Sequence, residues 1–467
     1  MPFKRQTGSR LPGSGSRSTT LLLLGVGMML LVPSLRLDRR ELSVPEASFA
    51  QAGLGPLEHD PRGANLRSAP GPTRLLSSWA MIVGTTERPL KLLAVLGLLL
   101  LALVSAEGAV RLASTAQARP IVYLLFAASP FLNRSDLLHP DLLAAWPLVG
   151  LFASAVFVLG GSFFWLIPGL LGGAVAPFFG GSLATLAVLL PPAAALARVA
   201  PLGPARGERD CPWWRGALGA LCVWIPLGAA AWGRPMEALA ALGLGGRTRL
   251  VTGLTSPSSL LFFLACGTAL VALALLLGNP RERPRAVRLL AIPAAVVLAV
   301  STPKLAGGAW GPLVLLLPAL ALLAAPGLAR ASALARFTAV AVLFAAALLP
   351  LATAPPPPAD VFRRVLLEAR EEGRSGGRLI VHGPTRFGVI FYGRRGHDPG
   401  MPVISIPEDT TFDRLEEWLR ERMRLQRGVP HPEALPVLIH PPPREPPPGF
   451  DLEPLPGRSL ARLRLSS

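Results

Sequence analysis

The sequence predicts a polytopic α-helical membrane protein of about 9–11 transmembrane helices with a small C-terminal α/β domain. Three observations carry this expectation. The chain has 467 residues, 51% hydrophobic against 16% charged, with a mean hydropathy of +0.47, more apolar surface than a soluble fold hides. Nearly uncharged apolar runs recur at roughly the 20-residue length that a helix needs to cross a bilayer core. Much of the arginine stands in short loops between those runs, the distribution that sets membrane topology.

The clearest runs are Thr19–Leu35, Leu92–Val110, Leu142–Gly160, Ser258–Gly278, Gly311–Ala329 and Phe337–Leu349. Pro120–Leu132, Gly161–Ala197, Gly216–Trp232 and Leu289–Val300 are shorter or interrupted by Pro and Gly. Gly161–Ala197 is long enough for two passes, turning near Phe178, Phe179, Gly180 and Gly181. The first run follows Lys4, Arg5, Arg10 and Arg17 and leads into Val32, Pro33, Ser34, Leu35 and Arg36 without a small-x-small site, so it reads as a retained signal anchor.

Residues 1–18 then form a basic cytoplasmic N-terminus, 19–354 the membrane domain with an outer loop over 36–88, 355–358 a proline linker, and 359–467 a periplasmic α/β domain with a Pro-rich tail. On this topology Arg111–Arg119, the loop with Arg206 and Arg209, the cluster Arg281, Arg283, Arg285 and Arg288, and the turn with Arg330 and Arg336 lie inside, and Lys304 lies outside. Abundant Gly, Pro, Ala and Arg with scarce Lys is the bias of GC-rich bacterial genomes, which places the chain in a bacterial inner membrane.

A net charge of +18 does not imply nucleic acid, whose readers gather Arg on one soluble face. Cys211, Cys222 and Cys266 have neither CxxC nor Cys/His spacing, which argues against a disulfide framework or a zinc site, and no metal is expected.

In the tail, Asp360–Glu372 has helical spacing, and Arg378–His382, Phe387–Tyr392 and Pro402–Ile406 read as strands. Thr411–Arg427 reads as an amphipathic helix and Pro436–His440 as a final strand before Pro-rich chain, together a small α/β layer. His382 and His397 read as solvated loop residues.

Ionisable groups near membrane depth carry the functional information. The first outer loop holds Asp38, Glu41, Glu46, Glu58, His59 and Asp60, and the second outer turn Asp136, His139 and Asp141. A sugar donor linked to a lipid phosphate calls for a carboxylate base toward the acceptor and for Arg or Lys on the phosphate leaving group. Arg39, Arg40, Arg88, Arg134 and Lys304 are the cations available for that second task, set against the plain alternative of ordinary loop and interface charges. Glu107 stands near a helix end within i+4 reach of Arg111. Nearly ion-free helices without internal repeats speak against a transporter or channel.

The order of these features resembles the GT-C glycosyltransferases that use polyprenyl-phosphate sugars, such as protein mannosyltransferases and the aminoarabinose transferases of lipid A. Pro45, Glu46, Ala47, Ser48, Phe49, Ala50 is similar to the outer-loop motif of that group, but Pro45 stands where the group has its catalytic Asp. Leu92–Val104, Ala109, Arg111 and Leu112, then Ala127–Pro130, resemble its second and third helices, and Asp141 before Leu142, Leu143 and Ala144 its next Asp, with Asp136 as runner-up. Ser301, Thr302, Pro303 and Lys304 followed by Trp310, Gly311 and Pro312 resemble a late Ser-x-x-Lys and aromatic helix entry. Val389–Arg394 resembles an aromatic strand end of its outer domain, whereas the Lys-Gly step of many members is missing around Gly172 and Gly173.

The resemblance implies sugar transfer from a polyprenyl-phosphate donor to a glycan, lipid or protein acceptor at the outer face, without a further cofactor. Glu46 would sit at or beside the base, Asp141 would shape the substrate site, and Lys304 and Arg40 would contact the donor phosphate, with Asp38, Asp60 and Asp136 as further candidates. A catalytically degenerate scaffold or lipid-binding protein of the same fold is the alternative, because of Pro45.

Overall fold

The structure, a computed structural model, describes residues 14–37, 41–59, 71–113, 115–129, 131–132, 137–198, 213–233, 290–305, 312–352, 361–372, 378–383, 385–393, 403–406, 437–443, 446 and 450–465. The chain divides into two compact units. One comprises Met1–Leu37, Pro70–Pro72 and Leu92–Ala354, the other Asp38–Ala69, Thr73–Lys91 and Pro355–Ser467.

The first unit is helical. Among the described residues its helices are α1 (Ser14–Leu37), most of α4 (Glu87–Ala113), α5 (Ala118–Ala127), α6 (Pro140–Leu143), α7 (Ala145–Val158), α8 (Leu166–Val175), α9 (Gly181–Arg198), α10 (Trp213–Gly233), α11 (Ala291–Leu305), α12 (Leu316–Arg330) and α13 (Ala333–Ala352). Among the described residues, Glu87–Ala113 and Pro140–Val158 are long and apolar enough to cross a membrane, and shorter apolar helices accompany them. The expected turn within Gly161–Ala197 falls at a 3-10 turn over Ala176–Phe179 and at Gly180, whose φ of +120° suits a residue without Cβ. Ser258–Gly278 lies outside the described residues.

Small residues let these helices approach closely. A Cβ on Gly150 of α7 would come within 2.3 Å of Pro168 O and 2.6 Å of Gly172 Cα on α8. One on Gly173 would come within 2.4 Å of Val223 O on α10. Meanwhile Leu23, Phe163, Phe164, Ile167, Leu171, Ile225, Leu334 and Phe337 turn large apolar side chains outward, so the bundle is apolar outside as well as within.

The second unit holds two helices inside the stretch expected as an outer loop, α2 (Val44–His59) and α3 (Gly71–Val83), and the first turn of α4. Gly53 packs where a Cβ would meet Leu76 of α3, and Ser77 Oγ donates to Gly53 O and to Thr73 O.

Its C-terminal part has α14 (Val361–Glu372), β1 (Arg378–Val381), α15 (Arg386–Gly393), β2 (Val403–Ser405), β3 (Val437–His440), β4 (Phe450–Pro454) and β5 (Ala461–Leu465). The strands lie in the order β2-β1-β3-β5-β4, with β1 parallel to β2 and β3 and the other pairs antiparallel. Ile380, Ile406, Ile439, Ala461 and Leu463 form the core on the sheet.

Two expectations for this part are corrected. Phe387–Tyr392 is the helix α15 rather than a strand, because Gly388, Val389, Phe391 and Tyr392 are buried together, a helical spacing hidden inside a continuous apolar run. The chain after His440 is not merely Pro-rich tail. Arg462 and Arg464 alternate with Ala461, Leu463 and Leu465 in β5, which closes a hairpin with β4 across a turn at Gly457 (φ +73°). Thr411–Arg427 lies outside the described residues.

Candidate functional site

The stretch that enters α2 is held by charge. Ser43, Val44, Pro45 and Glu46 form a reciprocal cap, in which Ser43 N donates to Glu46 Oε2 at 2.8 Å and Glu46 N donates to Ser43 Oγ at 3.4 Å. Pro45, lacking an N–H, sits in the first turn, where that donor would have no intrahelical partner. Glu46 is 1% exposed, and Lys91, equally buried, brings its Nζ to 3.8 Å from Glu46 Oε2 while donating to Glu41 O at 3.2 Å.

Glu41 reaches the other way. Its carboxylate accepts from Phe362 N at 3.2 Å and Arg363 N at 2.8 Å, capping the positive end of α14. Leu42 N donates to the Tyr392 hydroxyl at 2.7 Å, and the same hydroxyl hydrogen-bonds Glu87, which also pairs with Arg363. Arg363 stacks 5.3 Å over the Tyr392 ring and Phe362 lies 6.1 Å from it. Burial pushes the phenol far above its ordinary range, so it stays protonated and its oxygen is free to accept.

Asp141 belongs to the other unit. It stands in the first turn of α6, where its own N–H donates to His139 Nδ1 at 3.2 Å. A nitrogen that accepts an N–H carries no proton, so the 3.6 Å approach of Asp141 Oδ2 to that atom is not an ion pair. The Asp141 side chain is 15% exposed.

The expected residues therefore divide. Glu46 and Asp141 are placed in different units, and the backbone of Lys304 lies in the last turn of α11 while its side chain lies outside the described residues. Arg40, Asp38, Asp60 and Asp136 also lie outside them. Lys91 and Tyr392 were missed as site residues, and Glu41 was named only among the carboxylates of the outer loop. Ser43-x-x-Glu46 was a readable cap signature, and Lys91 at the polar start of an apolar run was a readable anomaly. Among the described residues no three His, Cys, Asp or Glu side chains gather in a metal-binding cluster.

A second polar group sits at the carboxyl ends of β1 and β3. His382, expected as a solvated loop residue, is half-buried, with Nε2 2.6 Å from Pro441 O. His397 lies outside the described residues. His440 is buried with Nδ1 2.8 Å from Ser459 O, so Nδ1 carries the proton and Nε2, which has no hydrogen-bond partner among the described residues, is the site left to protonate. Burial depresses both imidazoles below their ordinary range. Burial pushes the Glu368 carboxyl up, but hydrogen bonds from Ser459 and Arg364 outweigh it and hold the group below its usual value.

Each shift has the same sign in stability. The unfolded chain binds protons more readily at all three groups, so their contribution is complete at neutral pH and is lost as pH falls, first at the histidines and then at Glu368. Thermal stability of the full-length protein should therefore drop from about pH 7.5 to about pH 5.5, and His440→Gln should flatten that drop. An unchanged slope in the variant would assign the acid sensitivity elsewhere.

No protein-family model matches the chain, and no curated protein matches it in sequence. Solved structures do. ArnT from Cupriavidus metallidurans in the apo state aligns with a TM-score of 0.60 and 16% identity, over 96% of this chain and 98% of that one. The same protein bound to undecaprenyl phosphate aligns at 0.58 and 17%, over 96% and 99%. Over nearly its full length, the chain has the fold of these ArnT structures.

Proposed function

We propose that the protein is a multi-pass membrane glycosyltransferase that moves a sugar from a polyprenyl-phosphate donor to an acceptor at the outer face of the bacterial inner membrane. The observation that carries this reading is the fold, shared over nearly the full length of both chains with ArnT, one of whose structures is bound to undecaprenyl phosphate. The outward apolar side chains of the helical unit suit hydrocarbon as solvent.

The loops assigned to the inside also meet one another. Arg111 and Arg119 both pair with Glu107, Arg111 donates to Gly160 O, Arg215 donates to Gly161 O, and Arg336 bonds Gln117. Their common place at one end of the bundle supports a cytoplasmic N-terminus and a periplasmic C-terminal domain.

In the reaction a carboxylate takes the proton of the acceptor hydroxyl as its oxygen attacks the anomeric carbon. The anomeric C–O bond to phosphate breaks, and polyprenyl phosphate leaves with the electron pair. Asp141 and Glu46 are the carboxylates proposed for or beside that role, with Lys304 and Arg40 on the phosphate. The scaffold reading keeps two observations in its favour: Pro45 stands where the resemblance expects Asp, and the Glu46 carboxylate is already engaged by its cap and Lys91.

Transfer of radiolabelled sugar from a panel of polyprenyl-phosphate sugars, in membranes containing the protein, separates the two. Asp141→Asn and Glu46→Gln should each lower transfer by about 100-fold or more. Wild-type membranes that transfer nothing from any donor would leave the scaffold, and full activity in both variants would overturn the site.

A further inference from the structure

We propose that Tyr392 is a positioning residue for the Glu46 segment, which belongs to the same compact unit. The inference rests on the transferase reading.

Ser43 O accepts the first helical bond of α2 from Ala47 N at 2.8 Å, and the two residues before it are ordered by contacts from distant sequence. The Leu42 amide is buried, and Tyr392, 350 positions away, supplies its acceptor. Glu41 is tied by its carboxylate to the start of α14, and its carbonyl accepts from the Lys91 ammonium that also faces Glu46. Ser43 then closes the cap on Glu46. Each link is one residue from the next, so displacing Leu42 displaces Ser43 and, through it, the Glu46 carboxylate.

Tyr392 is itself clamped. Its ring stacks on Phe362, meets Phe391 edge-on at 5.1 Å and lies under Arg363. Gly388 allows that packing, since a Cβ there would come within 2.4 Å of the Phe362 ring. A phenol whose ionisation is suppressed and whose ring cannot turn is a rigid acceptor. Its hydroxyl is therefore the atom to remove.

Tyr392→Phe keeps every ring contact and leaves the Leu42 amide buried without a partner. In the purified full-length protein, hydrogen exchange over residues 41–46 should accelerate about tenfold, with exchange in α7 unchanged. Transfer kcat should fall about tenfold while donor KM moves less than about twofold, the split expected when a reacting group is misplaced and binding is intact. Glu41→Gln, which weakens the tie to α14, should reproduce both changes and serves if Tyr392→Phe does not fold. Unchanged exchange, or faster exchange with undiminished kcat, overturns the positioning role alone. A wild-type protein with no transfer from any donor overturns the transferase reading, and the positioning role with it.

Discussion

Replacing Lys91 with Met should destabilise the protein by about 3–5 kcal/mol, because it removes a buried ammonium from beside the fully buried Glu46 carboxylate. The loss should not reflect size, since Met nearly fills the volume. The backbone carbonyl of Glu41 loses the Lys91 hydrogen bond in the same substitution. The diagnostic comparison is Lys91→Met combined with Glu46→Gln. Gln still completes the Ser43 cap without charge, so the double variant should recover much of the loss. Thermal unfolding of the purified full-length protein measures both. A double variant no better than Lys91→Met would mean that the ammonium matters for its other contacts and not for Glu46.

Placing even a methyl group at Gly150 should cost about 1–3 kcal/mol or more. The new Cβ meets backbone on the facing helix, Pro168 O and Gly172 Cα, and neither can rotate away, so α7 and α8 must separate. Gly172 faces the same crossing, where a Cβ would lie 2.7 Å from Leu151 N. Gly228 of α10, with nothing within 4 Å of an added Cβ, is the control. Gly228→Ala should be neutral or stabilising by about 0.5–1 kcal/mol, because it only removes backbone freedom. Equal behaviour of the two alanine variants in a thermal melt would show that the crossing is softer than its distances imply.

Much of the architecture was legible where one physical rule acts locally. Long, nearly uncharged runs such as Leu92–Val110 appear within α4, and the short apolar runs in Arg378–Val381 and Val437–His440 appear as β1 and β3. The rule fails where two periods fit one run. Phe387–Tyr392 is apolar almost throughout, so strand and helix were equally compatible with it, and packing of Val389, Phe391 and Tyr392 in the C-terminal part decided for helix. The outer loop was named from what flanks it, which overlooked the cap at Ser43 and the amphipathic spacing of α3.

What the sequence by itself determined is the helical, apolar character of most of the chain, a small sheet at its end and the order of features that resembles a GT-C enzyme. These depend on composition and on spacings of a few residues, which any window of the chain displays. Only the tertiary structure decided that Glu46 faces Lys91, that Glu41 caps a helix beginning at Val361, and that Leu42 leans on Tyr392. Those pairings join residues 45 to 350 positions apart, and no local propensity encodes them. They arise because a charge or a backbone amide removed from solvent must find a partner wherever the fold supplies one.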